Sequence, residues 1–523
     1  MLKISNVKVS LNEKRYAKII SQVLNVREKE IKNVILIKQS VDARRAKVHF
    51  ICSFAFEVND EKEFMKKHKQ VSLYQPYQYQ FLPSVNRKVL VVGCGPAGLF
   101  CSYVLAKSGV DVTLVERGKK VEERVKDIHD FMYERKLNTE SNILFGEGGA
   151  GTFSDGKLTA SSKNKRVSFV LETFVKYGAP KDILYLSKPH IGTDYLRKVI
   201  VNMRNALIDM GVHICFETKF DNFKKLDHQY EVLLINKNVQ KKIIVDDLVL
   251  AIGHSARDTY EKLYHNPYIK MESKSFAIGV RIEQAQKKIN QLQYHQYATY
   301  PALKAANYKL AVQTKEKRGV YTFCMCPGGQ VVPCINEENH LCINGMSEYA
   351  RDKDNANSAI LVTVNPEDFQ MDHPLAGIEF QRKIERKAFE IAGNNYNAPV
   401  QLVNDYFENK CSQMLKEIKP SYLPDVTLCD LNRVFPEFIN RNLKEGLKLM
   451  NLKMPGFIDE NTLLVGVETR SSSPVKILRN QNYHIENENI YPIGEGAGKS
   501  GGIVSSAIDG IMCAESILKE DEL

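Results

Sequence analysis

Two widely separated glycine-rich turns carry the clearest chemistry in this sequence. In the first, Lys88-Val89-Leu90-Val91-Val92 leads into Gly93-Cys94-Gly95-Pro96-Ala97-Gly98, an apolar strand entering a G-x-G-x-x-G turn. Gly93 permits the tight turn and Gly95 lets the backbone approach a pyrophosphate. Gly98 lets the following helix pack close to the strand. That helix is predicted from Pro96 to Ser108, stops at Gly109, and offers its amino-terminal amides to phosphate. Asp111–Val115 reads as the next strand, with Glu116 at its end and Arg117 beside it. A carboxylate there accepts hydrogen bonds from ribose hydroxyls and repels a 2′-phosphate, so the turn suits FAD or NAD rather than NADP.

The second turn decides between them. Ile490–Ile493 is a short strand, Gly494-Glu495-Gly496-Ala497-Gly498-Lys499-Ser500-Gly501-Gly502 follows, and a helix is predicted from Ile503 to Leu518. Such a helix start can stabilise the negative charge that reduction places on the N1–C2=O edge of a flavin. A third glycine-rich loop, Asn142–Thr159, offers Gly148, Gly149, Gly151, Thr152, Lys157 and Leu158 as a further cradle. There is no second G-x-G-x-x-G strand–turn–helix, so a dedicated NAD(P)H domain is not expected. NAD(P)H, if it is the donor, binds transiently or through an irregular site.

These residues resemble those of the FAD-dependent dehydrogenases often labelled NAD(FAD)-utilising dehydrogenases, within the glutathione-reductase-like flavoproteins. The resembling blocks are Val91–Leu99, Phe145–Leu158, Lys188–Asp194, Phe323–Gly329, Glu468–Pro474 and Gly494–Gly510, and the likeness runs over most of the chain. It implies bound FAD and an oxidoreductase acting on a small molecule, and it supplies no substrate. It also implies that Glu495 stands where the class has an aspartate at the ribityl chain or pyrophosphate. Asp246–Gly253, with Ala251 and Gly253, is similar to the strand that returns the chain to the FAD domain. Lys499 and Ser500 depart from the aromatic and small residues expected there.

Candidate catalytic groups are fewer. Cys324 and Cys326 lie on a predicted strand, where alternation puts both sulfurs on one face. They read as packed thiols, as a redox pair for the flavin, or, with Cys334 and Cys342, as metal ligands, although C-x-C is not the usual zinc spacing. His190 offers a proton donor or a structural histidine. Arg470, ahead of three serines and a proline, is a candidate anion-binding residue for flavin or substrate, with a surface ion pair as the plainer reading. His254 and Arg281 are weaker candidates of the same kind.

These groups need a scaffold of several units, as the 523 residues imply. The expected fold is α/β: a two-piece Rossmann-like FAD-binding domain (83–259 and 460–523) with an inserted β-rich substrate or cap domain (260–459). Residues 1–82 form a small α+β domain of ferredoxin-like type. In it Val48, Phe50, Cys52, Phe54 and Phe56 share one strand face. Such an apolar face packs against helices, which argues against RNA binding. The eleven cysteines, an odd number thinly spread, fit a reducing cytoplasm. No signal or membrane anchor is apparent, and Glu520–Leu523 reads as a frayed, acidic helix end. The net charge of +11 suits solubility and phosphate-bearing ligands. A flavin-dependent RNA-modifying enzyme and a flavin-bound redox sensor without turnover remain the alternatives to an oxidoreductase.

Overall fold

The structure is a computed structural model that describes residues 1–45, 47–159 and 164–519. The acidic end at Glu520–Leu523 lies outside them. The chain opens with β1 (Leu2–Val9), α1 (Tyr16–Leu24), β2 (Lys32–Asp42), β3 (His49–Glu57), α2 (Glu61–Lys67) and β4 (Val71–Leu73). The strands form an antiparallel sheet in the order β2-β3-β1-β4. Of the face expected from Val48 to Phe56, β3 itself takes up the residues from His49 onward. Alternation holds along β3: Cys52, Phe54 and Phe56 face the helices. The Tyr16 ring centre lies 4.9 Å from that of Phe54, and Phe64 lies 6.1 Å from Phe56. The aromatic face is therefore the unit's core. The edge strand β2 is covered where Gln39 N–H donates to the Tyr185 carbonyl (2.7 Å) and Ser187 N–H donates to the Gln39 carbonyl (2.9 Å).

Next come β5 (Lys88–Val92), α3 (Pro96–Lys107), β6 (Asp111–Val115), α4 (Val121–Glu134), α5 (Arg166–Lys176), α6 (Gly192–Asp209) and β7 (His213–Cys215). The pattern then departs from strand–helix–strand. An antiparallel meander, β8 (Thr218–Leu226), β9 (Gln229–Asn236) and β10 (Val239–Val245), intervenes before β11 (Asp247–Leu250).

α7 (Arg257–Tyr264) runs across the boundary expected at residue 259. Beyond it lie β12 (Met271–Ser273), β13 (Phe276–Ala285), α8 (Gln286–Tyr294), β14 (Ala311–Gln313), β15 (Gly319–Cys326), β16 (Gln330–Pro333), β17 (Ile343–Met346), β18 (Asn355–Val364), α9 (Ala376–Ile391), β19 (Ala398–Leu402), α10 (Val403–Phe407), β20 (Val426–Leu428), α11 (Glu437–Lys453) and β21 (Leu463–Glu468). Seven of these strands make one sheet, ordered β14-β15-β18-β13-β21-β19-β20. β21, which the sequence division gives to the second nucleotide-binding piece, pairs with β13 and β19 and belongs to this sheet. On one face Ile278, Val280, Ile282, Ile360 and Val362 pack into the largest core together with residues of α9 and α11. The other face carries Ala277, Ala359 and Leu361, flanked by the half-buried Tyr321 and Phe323.

The chain then returns through β22 (Val475–Ile477), which pairs with β12, to β23 (Ile490–Pro492) and α12 (Ile503–Lys519). β23, β11, β5, β6 and β7 form a parallel sheet in that order. Because the strands are parallel, the segments after β5, β6, β11 and β23 gather at one edge, where open α/β sheets bind ligands. α3 is apolar all round because it lies between the sheet and α12. Among the described residues, no helix is long and apolar enough to cross a membrane.

Gly510 makes the α3–α12 packing possible, since a Cβ there would overlap the Ala97 carbonyl oxygen. Gly510→Ala is expected to destabilise the protein by about 1–3 kcal/mol, read as a lowered thermal midpoint. An unchanged midpoint would refute this packing.

Candidate functional site

At the carboxyl edge of the parallel sheet the glycine-rich segments lie against one another. Gly93 adopts φ +103°, and a Cβ there would overlap the Ala251 carbonyl oxygen. A Cβ on Gly98 would overlap the Gly93 carbonyl oxygen. Gly95 differs. Its backbone is extended, and an added Cβ would meet only the Gly149 Cα, at 3.9 Å. Nothing in the protein requires a glycine at that position. The second loop docks on the first, with Gly148 N–H donating to the Cys94 carbonyl (2.8 Å). A Cβ on Gly149 would stand 3.0 Å from the Gly95 Cα, and one on Gly151 would stand 2.9 Å from Ile503. Pro96, Gly148, Gly151 and Ile503 line one cleft with Leu99 and Phe100. Thr152 and Leu158 sit in the same loop with buried side chains.

Glu116, expected at a ribose, stands just beyond the end of β6. Its buried carboxylate accepts three backbone amides: Cys94 N–H on Oε2 (2.9 Å), and Gly118 N–H (2.9 Å) and Gly146 N–H (3.0 Å) on Oε1. It therefore ties the first loop, its own strand end and the second loop together. Arg117, also expected at the cofactor, forms ion pairs with Asp258 (2.8 Å) and Glu140 (2.6 Å) over the Phe145 ring.

Two residues escaped the sequence reading. The fully buried Arg124 donates to the carbonyls of Asn142, Ile143, Glu147 and Gly149 at 2.7–2.9 Å, and so shapes the second loop. Its signal was a cation inside the apolar stripe Val121, Ile128 and Phe131. Asp509, a carboxylate on the buried side of α12, accepts the Gly494 amide (2.7 Å) and pairs with Arg479 (2.6 Å). It anchors the last loop as Glu116 anchors the first.

In that last loop Gly494 lies against Ala97, while Gly501 and Gly502 are exposed. Gly501 lies near the Glu495 carboxylate, its added Cβ falling 3.0 Å from Oε2. Glu495 Oε1 accepts the Ser473 amide (2.9 Å), and burial raises the carboxyl from 4.5 to about 6. Beside it, Tyr260 O–H donates to the Gly496 carbonyl (2.6 Å), and Gly253 lies against Gly496.

Arg470 does not present its guanidinium to this cleft, nor is it a surface ion pair. It lies buried on Glu385 (2.8 Å), which also binds the buried Arg257 (2.8 Å), and it donates to Asn336. His254 Nε2–H donates to the Arg470 carbonyl (2.9 Å), and burial pushes its pKa down to about 4. His190 is buried, hydrogen-bonded to the Tyr349 carbonyl (3.0 Å) and stacked on the Tyr349 ring. Burial pushes its pKa down to about 4 as well, so it is neutral at physiological pH. Its surroundings are those of a structural histidine. Arg281, fully buried, pairs with Glu468 (2.5 Å).

The two cysteines do not share a face. The register of β15 on β18 slips between Phe323 and Cys326. Cys324 takes φ +41° at that bulge and is exposed, whereas Cys326 is buried. Strict alternation could not foresee an extra residue in the strand. Lys157 reaches this bulge, its ammonium donating to the Met325 carbonyl. Cys334 and Cys342 face each other across the β16–β17 hairpin, with Cys334 N–H donating to the Cys342 carbonyl (2.7 Å). No group of three or more His, Cys, Asp or Glu among the described residues could hold a metal ion.

Comparison with known proteins agrees with this geometry. A family described as "FAD-dependent protein, C-terminal domain-like" matches residues 275–471, and one described as "FAD binding domain" matches residues 86–127. A domain of unknown function (DUF8436) matches residues 1–57. A protein of Clostridium beijerinckii, named only "Uncharacterized protein", is 43% identical over 536 residues, covering 100% of this chain and 99% of that one. The chain belongs to one family with that protein and carries the two FAD-related domains that match. Among solved structures, CtdE in complex with FAD is 10% identical, covering 83% of this chain and 89% of that chain, with a TM-score of 0.32. The flavin-dependent brominase Bmp2 is 12% identical over 83% and 79%, with a TM-score of 0.38. A flavoprotein/dehydrogenase of Cytophaga hutchinsonii is 12% identical over 84% and 79%, with a TM-score of 0.34. Scores this low carry no functional information.

FAD is the cofactor of this FAD-dependent protein, and the site fits it. The glycine at residue 95 keeps open a backbone surface that the protein's own packing does not need. No side chain caps the start of α3, which leaves the helix end free for an anion.

Two expectations follow. The Glu495 carboxyl binds its proton more tightly folded than unfolded, so its contribution to stability is present below about 4.5 and lost as pH rises through about 6. In chemical denaturation of apoprotein, Glu495→Gln should remove a decline of about 1–2 kcal/mol between pH 4.5 and 7; an identical pH profile in the variant would contradict the shift. Arg470→Met should cost about 1–3 kcal/mol of stability by removing one of the two arginines that hold the buried Glu385, whereas a surface or ligand-facing arginine would leave the apoprotein's midpoint unchanged.

Proposed function

We propose that this FAD-dependent protein is an oxidoreductase of dehydrogenase type that passes hydride or electrons between its flavin and a small molecule bound under the seven-stranded sheet. The observation that carries this reading is the convergence of three distant glycine segments at one sheet edge, around the needlessly bare backbone of Gly95. In this reading Gly93, Gly95, Pro96, Ala97 and Gly98 hold the pyrophosphate, with Gly148 and Gly149 closing over it. Glu116 and Arg117 serve the adenosine end by shaping the loops. Ala251 and Gly253 form the floor. Gly494, Glu495, Gly501, Gly502 and Ile503 meet the ribityl chain and the ring. The bound flavin supplies the two-electron chemistry. The protein's part is to exclude water from the cleft, to orient the substrate and, through the start of α12, to stabilise negative charge at the ring edge. NAD(P)H would bind transiently, since the chain offers no second dinucleotide turn.

The same reading places the chain among glutathione-reductase-like flavoproteins. The support is that β5, β6, β7 and β11 lie in one sheet with β23, which comes from the far end of the chain. It makes residues 1–82 a ferredoxin-like unit, supported by the β-α-β-β-α-β order and the strand order β2-β3-β1-β4. The nucleotide-binding piece then runs from residue 83 through α7, and the inserted domain extends through β21. With the aromatic face of β3 packed inside, nothing favours the RNA-modifying alternative.

Comparing Gly95→Ala with Gly98→Ala tests the site. The first introduces only an ordinary contact at 3.9 Å, so it should fold within about 0.5 kcal/mol of the parent yet lose most of its FAD. The second should destabilise the protein whether or not FAD is present. Gly95→Ala that retains a full complement of flavin would overturn the placement of the pyrophosphate.

A further inference from the structure

Charged groups gather around the β15 bulge, where the end of the Asn142–Thr159 loop meets it. Cys324 is the one exposed cysteine of eleven. Its left-handed backbone is costly for a residue with a side chain, and such strain persists only where the surroundings impose it. Here they do. Arg281 donates to the Cys324 carbonyl (2.7 Å), the Cys326 thiol donates to the same oxygen (3.2 Å), and Lys157 donates to the neighbouring Met325 carbonyl. The result is a sulfur held out of the sheet, where solvent reaches it.

At this corner Arg351 and Arg281 are held by carboxylates. Arg351 binds Asp155 through two hydrogen bonds (3.0 and 2.5 Å), and Arg281 pairs with Glu468 (2.5 Å). Lys157 lies 3.6 Å from an Asp155 oxygen already held by Arg351, so it has no carboxylate of its own there. Nearby His190 is neutral. The Lys157 side chain is 37% exposed, whereas those of Asp155, Arg281, Glu468 and Arg351 are at most 8% exposed. A ligand entering here therefore meets one charge directly, and it is positive. Cys324 brings a thiol and no carboxylate to this point, so it adds no fixed negative charge against an anion. Beside it, Tyr321 and Phe323 present half-buried rings backed by Ala359 and Leu361.

We propose that this corner is the anion-receiving end of the substrate site, and that the substrate is a small organic carboxylate with a flat apolar body. Its anionic group meets Lys157 next to the Cys324 thiol, and its body lies along Tyr321 and Phe323. Cys324 here is a positioning neighbour and not a nucleophile. The inference rests on the reading of the chain as an oxidoreductase with its substrate under the seven-stranded sheet.

Cysteine alkylation reads the local potential without a known substrate. FAD-containing protein is treated with iodoacetate or iodoacetamide, and modification of Cys324 is measured by peptide mass spectrometry, with half-buried Cys411 as internal reference. Lys157→Gln should lower the iodoacetate-to-iodoacetamide rate ratio at Cys324 by about three- to tenfold, the size expected for one nearby charge, and leave the Cys411 ratio unchanged. Lys157→Arg should preserve the ratio. Benzoate should protect Cys324 at concentrations where acetate and benzamide do not. An unreactive Cys324, or an unchanged ratio in Lys157→Gln with flavin still bound, overturns the anion site. Equal protection by acetate overturns the apolar body, and equal protection by benzamide overturns the charge requirement. Flavin content measured on the same samples keeps these outcomes apart from a failure of the cofactor reading, which would show as protein without FAD.

Discussion

Three backbone amides converge on the carboxylate of Glu116, and the cofactor site depends on that convergence. Glycine-rich loops pay a large entropic cost to be held in one shape, and a glycine contributes no side chain with which to hold itself. The protein supplies the missing constraint from outside the loops. Glu116 ties the first loop to the second by their N–H groups. Arg124 gathers the second loop by its carbonyls, and Asp509 fixes the start of the third. A buried ion or hydrogen-bond acceptor is stable when its partners are complete, and here the partners are the loops themselves. The same interactions that satisfy these buried side chains thereby preset the cradle.

A second set of buried charges braces the seven-stranded sheet and its junction with the parallel one. Glu385 joins Arg257, at the start of α7, to Arg470, just beyond β21. Arg281 joins β13 to Glu468 at the end of the neighbouring strand β21. The first pair ties the segment after β11 to the larger sheet, and the second holds two of that sheet's strands together.

The sequence was readable where local rules act alone. The strand–turn–helix at Gly93, the alternation of Cys52, Phe54 and Phe56, and the loop before Ile503 each follow from spacing and steric need. Roles that depend on a distant partner were not readable. Glu116 looked like a ribose ligand because its place at a strand end is all the sequence displays; the amide of Gly146 reaches it only in the fold. Arg470 looked like an anion-binding turn because Glu385 lies far away in the chain. The bulge at Cys324 defeated a period-two reading because one extra residue reverses every side chain beyond it. β21 was given to the wrong sheet because an apolar strand does not reveal which neighbours it pairs with. Arg124 and Asp509 left a visible trace, a charge within an apolar helical stripe, which marks a buried polar contact.

The central claim is that the paired loops hold both halves of a dinucleotide. The most direct measurement is to release the chromophore from purified protein by denaturation and to determine its mass and its ratio to the chain. Stoichiometric FAD is predicted, released without covalent attachment. FMN in its place would contradict the role given to the Gly93–Gly98 turn, and protein that stays colourless after incubation with FAD would contradict the account as a whole.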